Sequence, residues 1–360
     1  MKVRELTRNK LAGDNSVTLL GFCLMGNAQR FNPSIEIFNP CMEAGLANKQ
    51  SCNLTTICLN AYIKGNDLDR EAFERDLRLI TRIGSRQTTV KQWHPDWDEV
   101  QKRDRLLGVS MTGVMEAFEI IGHDCDMKFM REFFTWAGDI VRDEADKYHD
   151  YLGIPRSARV SLFKPEGTLS QLRTTSSGIH RLYAPYFIRG VEFSSNDALA
   201  KALLDAGLTP IPKEANTLEE ARSWIFKFPI KTVASIRSID EPAIAQLERY
   251  KLVQNTYVRD GHNTSVTVSV AEHEWEEVTQ WVYDNWDYII NISFLNKFDP
   301  EVGTPYPYLP YIPCSKETYE SMPKVELDEE ELISLISIFE QEDEEYELEK
   351  GCDTGFCPTR

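Results

Sequence analysis

The sequence predicts an α/β fold in which parallel strands alternate with helices. Helical periods and strand alternations take turns through most of the chain, with helices of about a dozen residues between strands. Composition agrees: 42% hydrophobic and 27% charged residues over 360 positions are ordinary globular usage and allow a sizeable core. Length alone permits two or three lobes or one barrel-type domain.

The elements follow in order. Val17–Gly26 (VTLLGFCLMG) reads as a buried strand, because no small-residue cleavage site follows it. Phe73, Leu77 and Ile80 share one face of a helix starting near Asp69. Phe133, Ala137, Ile140, Val141, Tyr148 and Leu152 share a face of a longer helix, about Lys128–Leu152, closed by Gly153 ahead of Pro155. Arg159–Lys164 is a short strand ended by Pro165. Ser195–Ala206 is helical with Gly207 as its stop, and Trp224–Phe228 is a strand closed by Pro229. Pro242–Gln254 is a helix with Asp240 available as its N-cap. Ser265–Val270 alternates as a strand. Glu272–Trp286 is a helix with Trp275, Val278 and Val282 inward, and Tyr288–Leu295 an apolar strand. Residues 300–323 are rich in Pro and Tyr and irregular. After Leu327 an amphipathic helix leads into Glu340–Lys350, seven acids and one base, expected to be solvated and mobile.

Charge and motifs exclude several functions. A net charge of −17 without a basic stripe disfavours nucleic acid and anionic membranes. No apolar run reaches the ~18 residues of a membrane span. Eight cysteines without regular spacing point to a reducing cytoplasm, where thiols are judged as possible reagents. There is no Walker loop, G-x-G-x-x-G, G-x-S-x-G, H-E-x-x-H or CxxC pair, and no metal site is expected. His123-Asp124-Cys125 reads as a helix-end loop, since adjacent side chains point different ways.

The cysteines sort into groups. Cys23, Cys58, Cys125 and Cys314 fit small buried hydrophobes. Cys352 and Cys357, in a polar, Gly-containing terminus, have no core to enter, and two thiols so spaced suit a dithiol shuttle. Asn39-Pro40-Cys41-Met42-Glu43 puts an amide, a thiol and a carboxylate in one proline-bearing loop. The trio can offer one substrate a sulfur reagent, a proton acceptor and a hydrogen-bond donor. Taken singly, Asn39 also suits a turn, Glu43 a helix start, and Thr168-Leu169-Ser170 a helix cap.

Read jointly, the landmarks resemble the ribonucleotide reductase catalytic subunit. Asn39-Pro40-Cys41-x-Glu43 with Cys52 eleven residues after Cys41 is similar to its finger loop. Arg105–Val109 with Gly113 resembles its R-x-G-V-G segment. Lys164–Ser170 followed by Gly178-Ile179-His180 resembles its phosphate loop, and Ile292–Leu295 and the terminal C-x4-C also fit. The short gap from Cys41 to Cys52 resembles the adenosylcobalamin-dependent (class II) enzymes. The chain has neither the C-terminal tyrosine pair of the aerobic class nor the R-V-x-G-Y motif of the anaerobic class. The tail is most similar to that of monomeric ribonucleoside-triphosphate reductases.

The resemblance implies the second half of a ten-stranded α/β barrel, residues 1–326, with the finger loop near 39–43 at its centre. A helix and flexible acidic dithiol tail, 327–360, would follow. It implies adenosylcobalamin as cofactor and radical reduction of ribonucleotides, expected to be triphosphates, to 2′-deoxyribonucleotides. Cys41 would be the thiyl residue, Glu43 the acceptor of the 3′-OH proton, and Asn39 a hydrogen-bond partner of the ribose oxygens. Cys52 would be one redox thiol, with Cys352 and Cys357 re-reducing it and passing the oxidation to a thioredoxin-like donor. Pro165, Gly167, Thr168 and Ser170 would bind substrate phosphates at a helix start. Glu166 stands where a small residue is common, and a carboxylate there must turn away from phosphate. The family's first half-barrel, with the second active-site redox cysteine, precedes the matched region. Met1 is read as a real start, hence a split-gene product needing a separately encoded N-terminal half. The alternatives are a non-catalytic remnant or interaction protein, and a diphosphate-specific class II or class I large-subunit fragment.

Overall fold

The computed structural model describes residues 20–297, 308–324 and 328–350. Strand β1 (Leu20–Cys23) and helix α1 (Met25–Phe31) precede a hairpin of β2 (Ile37–Phe38) and β3 (Gly45–Leu46). Then come β4 (Asn53–Cys58), the small hairpin β5 (Ile63–Lys64) and β6 (Asp67–Leu68), α2 (Arg70–Gln87) and α3 (Pro95–Asp104). β7 (Leu107–Thr112), α4 (Val114–Ile120), α5 (Met127–Leu152) and the single turn α6 (Leu169–Leu172) follow. Next are β8 (Tyr186–Ser194), α7 (Ala198–Asp205), β9 (Ile211–Pro212) and β10 (Ser223–Lys231). The order continues with α8 (Ala243–Val253), β11 (Thr267–Val270), α9 (Trp275–Asp284) and β12 (Asn291–Asn296). It ends with β13 (Tyr311–Pro313), α10 (Lys316–Ser321) and α11 (Glu329–Lys350). Residues 1–185 with 232–299 form one compact unit, and residues 186–231 with 300–360 form another.

The first unit is built on parallel strands. β4 pairs with β7 in parallel from Asn53↔Leu107 to Cys58↔Thr112. Residues 159–163 run parallel along the other side of β7: Leu107 N–H donates to Arg159 O (3.0 Å) and Val109 N–H to Val160 O (2.9 Å). Phe163 bridges in parallel to Thr264, just ahead of β11, and β11 pairs in parallel with β12. β1 closes this series antiparallel to β12. Five extended segments thus lie in one direction, the α/β pattern expected from the alternation.

Helices α2 and α5 cover these strands with an aromatic core. Phe133 meets Phe118, Phe134 and Phe73 at ring-centre distances of 5.2, 5.4 and 5.7 Å. Caps fix both helices. Asp69 accepts from Ala72 N–H (3.0 Å), Asp126 from Phe129 N–H (3.0 Å), and Gly153 ends α5 at φ +66°.

Several local expectations are corrected. Asp240 does not cap α8: it pairs with Arg237, and Glu274 accepts from Ala243 N–H (2.8 Å) across 31 residues of sequence. Pro229 does not close its strand, which runs on to Lys231. β9 pairs only with Trp224 and Ile225, so at Pro229 one side of β10 is an edge among the described residues and needs no donor. Cys125 is exposed rather than buried, and Cys58 and Cys314 are half-buried. The backbone of Glu340–Lys350 is helical, consistent with its strong helix formers and a cation at the C-terminal end.

The second unit holds a four-stranded antiparallel sheet in the order β13-β8-β10-β9. Ala200, Leu203, Leu208 and Phe226 form its core. α11 packs along α7.

Candidate active site

The Asn39–Glu43 segment is the tip of the β2–β3 hairpin, whose register pairs Phe38 with Gly45. Asn39 shapes the turn. Its Oδ1 accepts from Ala44 N–H (2.9 Å) and its carbonyl from Met42 N–H (2.8 Å). Met42 is held at φ +63°, a left-handed conformation that a non-glycine residue adopts at a cost. The surroundings enforce it by gripping three consecutive carbonyls. Ser265 Oγ donates to Cys41 O (2.6 Å), Asn263 Nδ2 to Met42 O (2.9 Å), and Asn263 N–H to Glu43 O (2.8 Å). Asn263 is itself fixed, its Oδ1 accepting from Tyr250 O–H (3.1 Å) and Asn291 N–H (3.3 Å). Below the tip, His262 accepts from Gly45 N–H at Nδ1 (3.2 Å) and donates from Nε2 to Leu107 O (2.9 Å). Burial drives its pKa well below the usual histidine value, so it serves as a neutral strut.

This grip leaves Cys41 exposed and Glu43 fully buried. Neither carboxylate oxygen of Glu43 meets a hydrogen-bond partner of good geometry. Burial raises its pKa, partly offset by the neighbouring Asn39 amide and the Lys164 charge. The Cys41 thiol is also raised, first by burial and then by Glu43. The Glu43 charge also raises the Cys52 thiol, as a smaller effect than burial.

Cys52 lies just before β4, with its sulfur against Gly108 of β7, which pairs with Leu54. A Cβ on Gly108 would come within 2.5 Å of Leu54 Cδ2, 2.7 Å of Leu162 Cδ2 and 3.0 Å of Cys52 Sγ. Glycine there makes the room that Cys52 occupies. Burial holds the Cys52 thiol far above the usual range, opposed by the charge of Arg159.

The Lys164–Ser170 loop adjoins the fingertip, since Lys164 and Glu166 influence both Cys41 and Glu43. Glu166 is buried, accepting from Thr56 Oγ1 (2.6 Å). Gly167 and Thr168 are exposed, and the Thr168 hydroxyl makes no cap bond to α6. Ser170 is buried, with its N–H on Glu166 O (2.9 Å) and its carbonyl accepting from Thr175 N–H (2.9 Å). The carbonyl of Pro165 accepts from Ser177 Oγ. Gly178, at φ +52°, has Lys164 O 2.7 Å from where a Cβ would sit, which ties the loop's two ends together.

The structure therefore gathers Asn39, Cys41, Glu43 and Cys52 and sets the Lys164–Thr168 loop beside them. Cys352 and Cys357 lie outside the described residues. Sequence reading missed Arg159, His262, Asn263 and Ser265. The polar run Gly261–Ser265 directly ahead of an alternating strand was the available signal for the last three.

No family model matches the chain. Its fold is that of ribonucleotide reductase catalytic subunits. A solved B-12 dependent (class II) ribonucleotide reductase superposes with a TM-score of 0.69 at 22% identity, over 87% of this chain and 45% of that one. The Actinobacillus ureae class Id alpha subunit gives 0.50 at 14% identity, over 81% and 60%. Among curated proteins, the chain is 26% identical to the adenosylcobalamin-dependent ribonucleoside-triphosphate reductase of Levilactobacillus brevis, over 94% of its own length and 47% of the relative's. The Lactobacillus acidophilus reductase of the same name is 27% identical over 91% and 45%. The chain is thus related to adenosylcobalamin-dependent ribonucleoside-triphosphate reductases and spans about half their length, the C-terminal half.

Proposed function

We propose that the chain is the C-terminal catalytic half of a class II ribonucleotide reductase, acting on ribonucleoside triphosphates. The observation that carries this reading is the fingertip itself: an exposed Cys41 thiol beside a buried, unpaired Glu43 carboxylate, on a loop whose three carbonyls are clamped. A ribose 2′-hydroxyl sits on an unactivated carbon, so its removal calls for radical chemistry. When bound, adenosylcobalamin supplies a carbon-centred radical by homolysis of its Co–C bond. The exposed Cys41 sulfur fits a hydrogen donor to an external radical.

Cys41 gives up its thiol hydrogen and the resulting thiyl takes the substrate's 3′-hydrogen. Glu43 accepts the 3′-OH proton, a task suited to a carboxylate whose pKa burial has raised. Asn39 has Oδ1 committed to Ala44, which leaves Nδ2 to donate to a ribose oxygen. Cys52 and a partner thiol supply two protons and two electrons as their disulfide forms: one proton leaves with the 2′-hydroxyl as water, a hydrogen atom goes to C2′, and the last electron reduces the sugar while Glu43 returns its proton to the 3′-oxygen. Cys41 then returns hydrogen to C3′. The exposed backbone at Gly167 and Thr168, with Lys164 nearby, receives the phosphates. Pro165 and the buried Ser170 shape that loop.

The second redox thiol comes from an N-terminal half of the reductase, which completes a ten-stranded barrel around the finger loop. The outer side of β4, unpaired among the described residues, is where a further strand would join. Cys352 and Cys357 relay electrons from a thioredoxin-like donor in a reducing cytoplasm. No described helix is long and apolar enough to cross a membrane. The test is Cys41→Ser in the complex reconstituted with the missing half. Deoxynucleotide formation should vanish while nucleotide binding persists, and measurable product would refute the assignment.

A further inference from the structure

Glu116 is a buried carboxylate that the proposed radical chemistry does not use. It lies in the first turn of α4, directly after β7. Its Oε2 accepts from Asn60 Nδ2 (2.8 Å) and from the Thr175 hydroxyl, and its N–H donates to Ser176 Oγ (3.3 Å). Hydrogen bonds to a carboxylate are strong ones, and here two donors converge on a single oxygen. Burial raises the Glu116 pKa, and the bonds from Thr175, the Ser176 backbone and Asn60 work against that rise. Gly113, at φ +68°, makes the room: a Cβ there would stand 2.7 Å from Thr175 Oγ1 and 3.2 Å from Asn60 Oδ1.

The segment that Glu116 grips is the return arm of the Lys164–Ser170 loop. Thr175 N–H donates to Ser170 O (2.9 Å) and Ser177 Oγ donates to Pro165 O, so the arm is tied to both ends of the exposed Gly167–Thr168 stretch. Between those two ties, Ser176 O accepts from Gly113 N–H (2.8 Å) and Thr112 Oγ1 (2.9 Å). Ser170 N–H closes the turn on Glu166 O (2.9 Å). We infer that Glu116 is a positioning residue for the substrate's phosphates, holding the Gly167–Thr168 backbone in place through Thr175. This deepens the proposed function, since it rests on that loop receiving the phosphates. Glu116 sets the fit of a polyphosphate against the loop, a fit that substrate and transition state share, since bonds change only at C2′ and C3′. Its loss weakens binding and spares the chemical step.

The test is steady-state reduction of CTP by the reconstituted complex, with KM and kcat read separately. Glu116→Ala should raise KM at least about tenfold, the scale of a lost hydrogen bond to a charged group, with kcat within about threefold of wild type. Glu116→Gln keeps an oxygen that accepts from both Asn60 and Thr175, and should hold KM within about threefold. Thr175→Val removes the hydroxyl at nearly unchanged shape and should raise KM as Glu116→Ala does. The double variant Glu116→Ala/Thr175→Val should raise it no further. Loss of stability alone would lower the active fraction and leave KM unmoved. A wild-type KM in Glu116→Ala overturns the inference, as does a Gln variant as impaired as Ala, or additive effects in the double variant. If Glu116→Ala does not fold, Thr175→Val decides by the same KM criterion. The phosphate-loop reading is checked apart, by hydrogen exchange of residues 165–172 in the wild-type complex with and without CTP. Exchange slowed by CTP, with an unmoved KM in Glu116→Ala, sinks only the role of Glu116. Exchange that CTP leaves unchanged sinks the loop reading and the inference with it.

Discussion

Helix α5 and the fingertip of the β2–β3 hairpin are held by opposite means. α5 is fixed by shape: Phe133 and Phe134 interlock with rings from α2 and α4, Asp126 caps one end, and Gly153 closes the other. No buried polar atom of Phe133 or Phe134 awaits a partner. The fingertip is fixed by direction, through hydrogen bonds to three successive carbonyls, while Glu43 keeps two buried oxygens unsatisfied. The first arrangement maximises stability. The second gives some up to hold a reactive group at a set position, the usual pattern of a functional site.

Substitutions can break that contrast, beginning with the largest. Phe133→Ala should cost about 3–5 kcal/mol in chemical denaturation of the chain, the range for emptying a core aromatic site. A loss under about 1 kcal/mol would show that the core repacks around the gap. Asn263→Ala should cost less, about 1–3 kcal/mol for orphaned buried partners. It should also lower turnover of the reconstituted complex by at least about 100-fold, on the scale of misplacing reacting groups. Full activity would mean that the carbonyl clamp is dispensable. Asp126→Ala should cost about 1 kcal/mol, a typical N-cap loss, and leave turnover unchanged below the melting range.

Glu43→Gln sharpens the contrast by its sign. Its folded-state pKa is raised, so the native chain holds this proton more tightly than the unfolded chain. Wild-type stability should therefore fall as pH rises from the ordinary glutamate pKa towards the raised one. Glu43→Gln should flatten that slope and be the more stable protein at alkaline pH, while turnover drops about 100-fold or more for want of a proton acceptor. Denaturation midpoints across pH check it, and parallel slopes for the two proteins would count against a buried, raised carboxyl.

The same contrast explains what the sequence disclosed. α2, α5 and three members of the parallel series, 159–163, β11 and β12, were legible because apolar period and caps are local signals, as with Phe73 and Leu77 after Asp69, or Gly153 after Leu152; β4 and β7 were not read as strands. The cap of α8 by Glu274 was not, because its partner lies on another element. Asn39, Cys41, Glu43 and Cys52 were readable as a pattern. The groups that hold them, Asn263, Ser265, His262 and Arg159, act through backbone atoms or buried space more than 100 residues away in sequence. Nothing in their own neighbourhood announces that role.

The clamp on the fingertip has a kinetic consequence. Asn263 lies in the lead-in to β11 and is bonded to the start of β12, so the loop cannot open without disturbing the sheet it rests on. Amide protons of Met42, Ala44 and Gly45 sit near an exposed tip, yet each is hydrogen-bonded to a group that the sheet or the hairpin holds still. Their deuterium exchange should proceed with the cooperative opening of the β11–β12 unit rather than with the fast fraying of a surface turn. The fingertip is then part of the same unfolding unit as the strands beneath it, and its lifetime in the native arrangement is the lifetime of that unit.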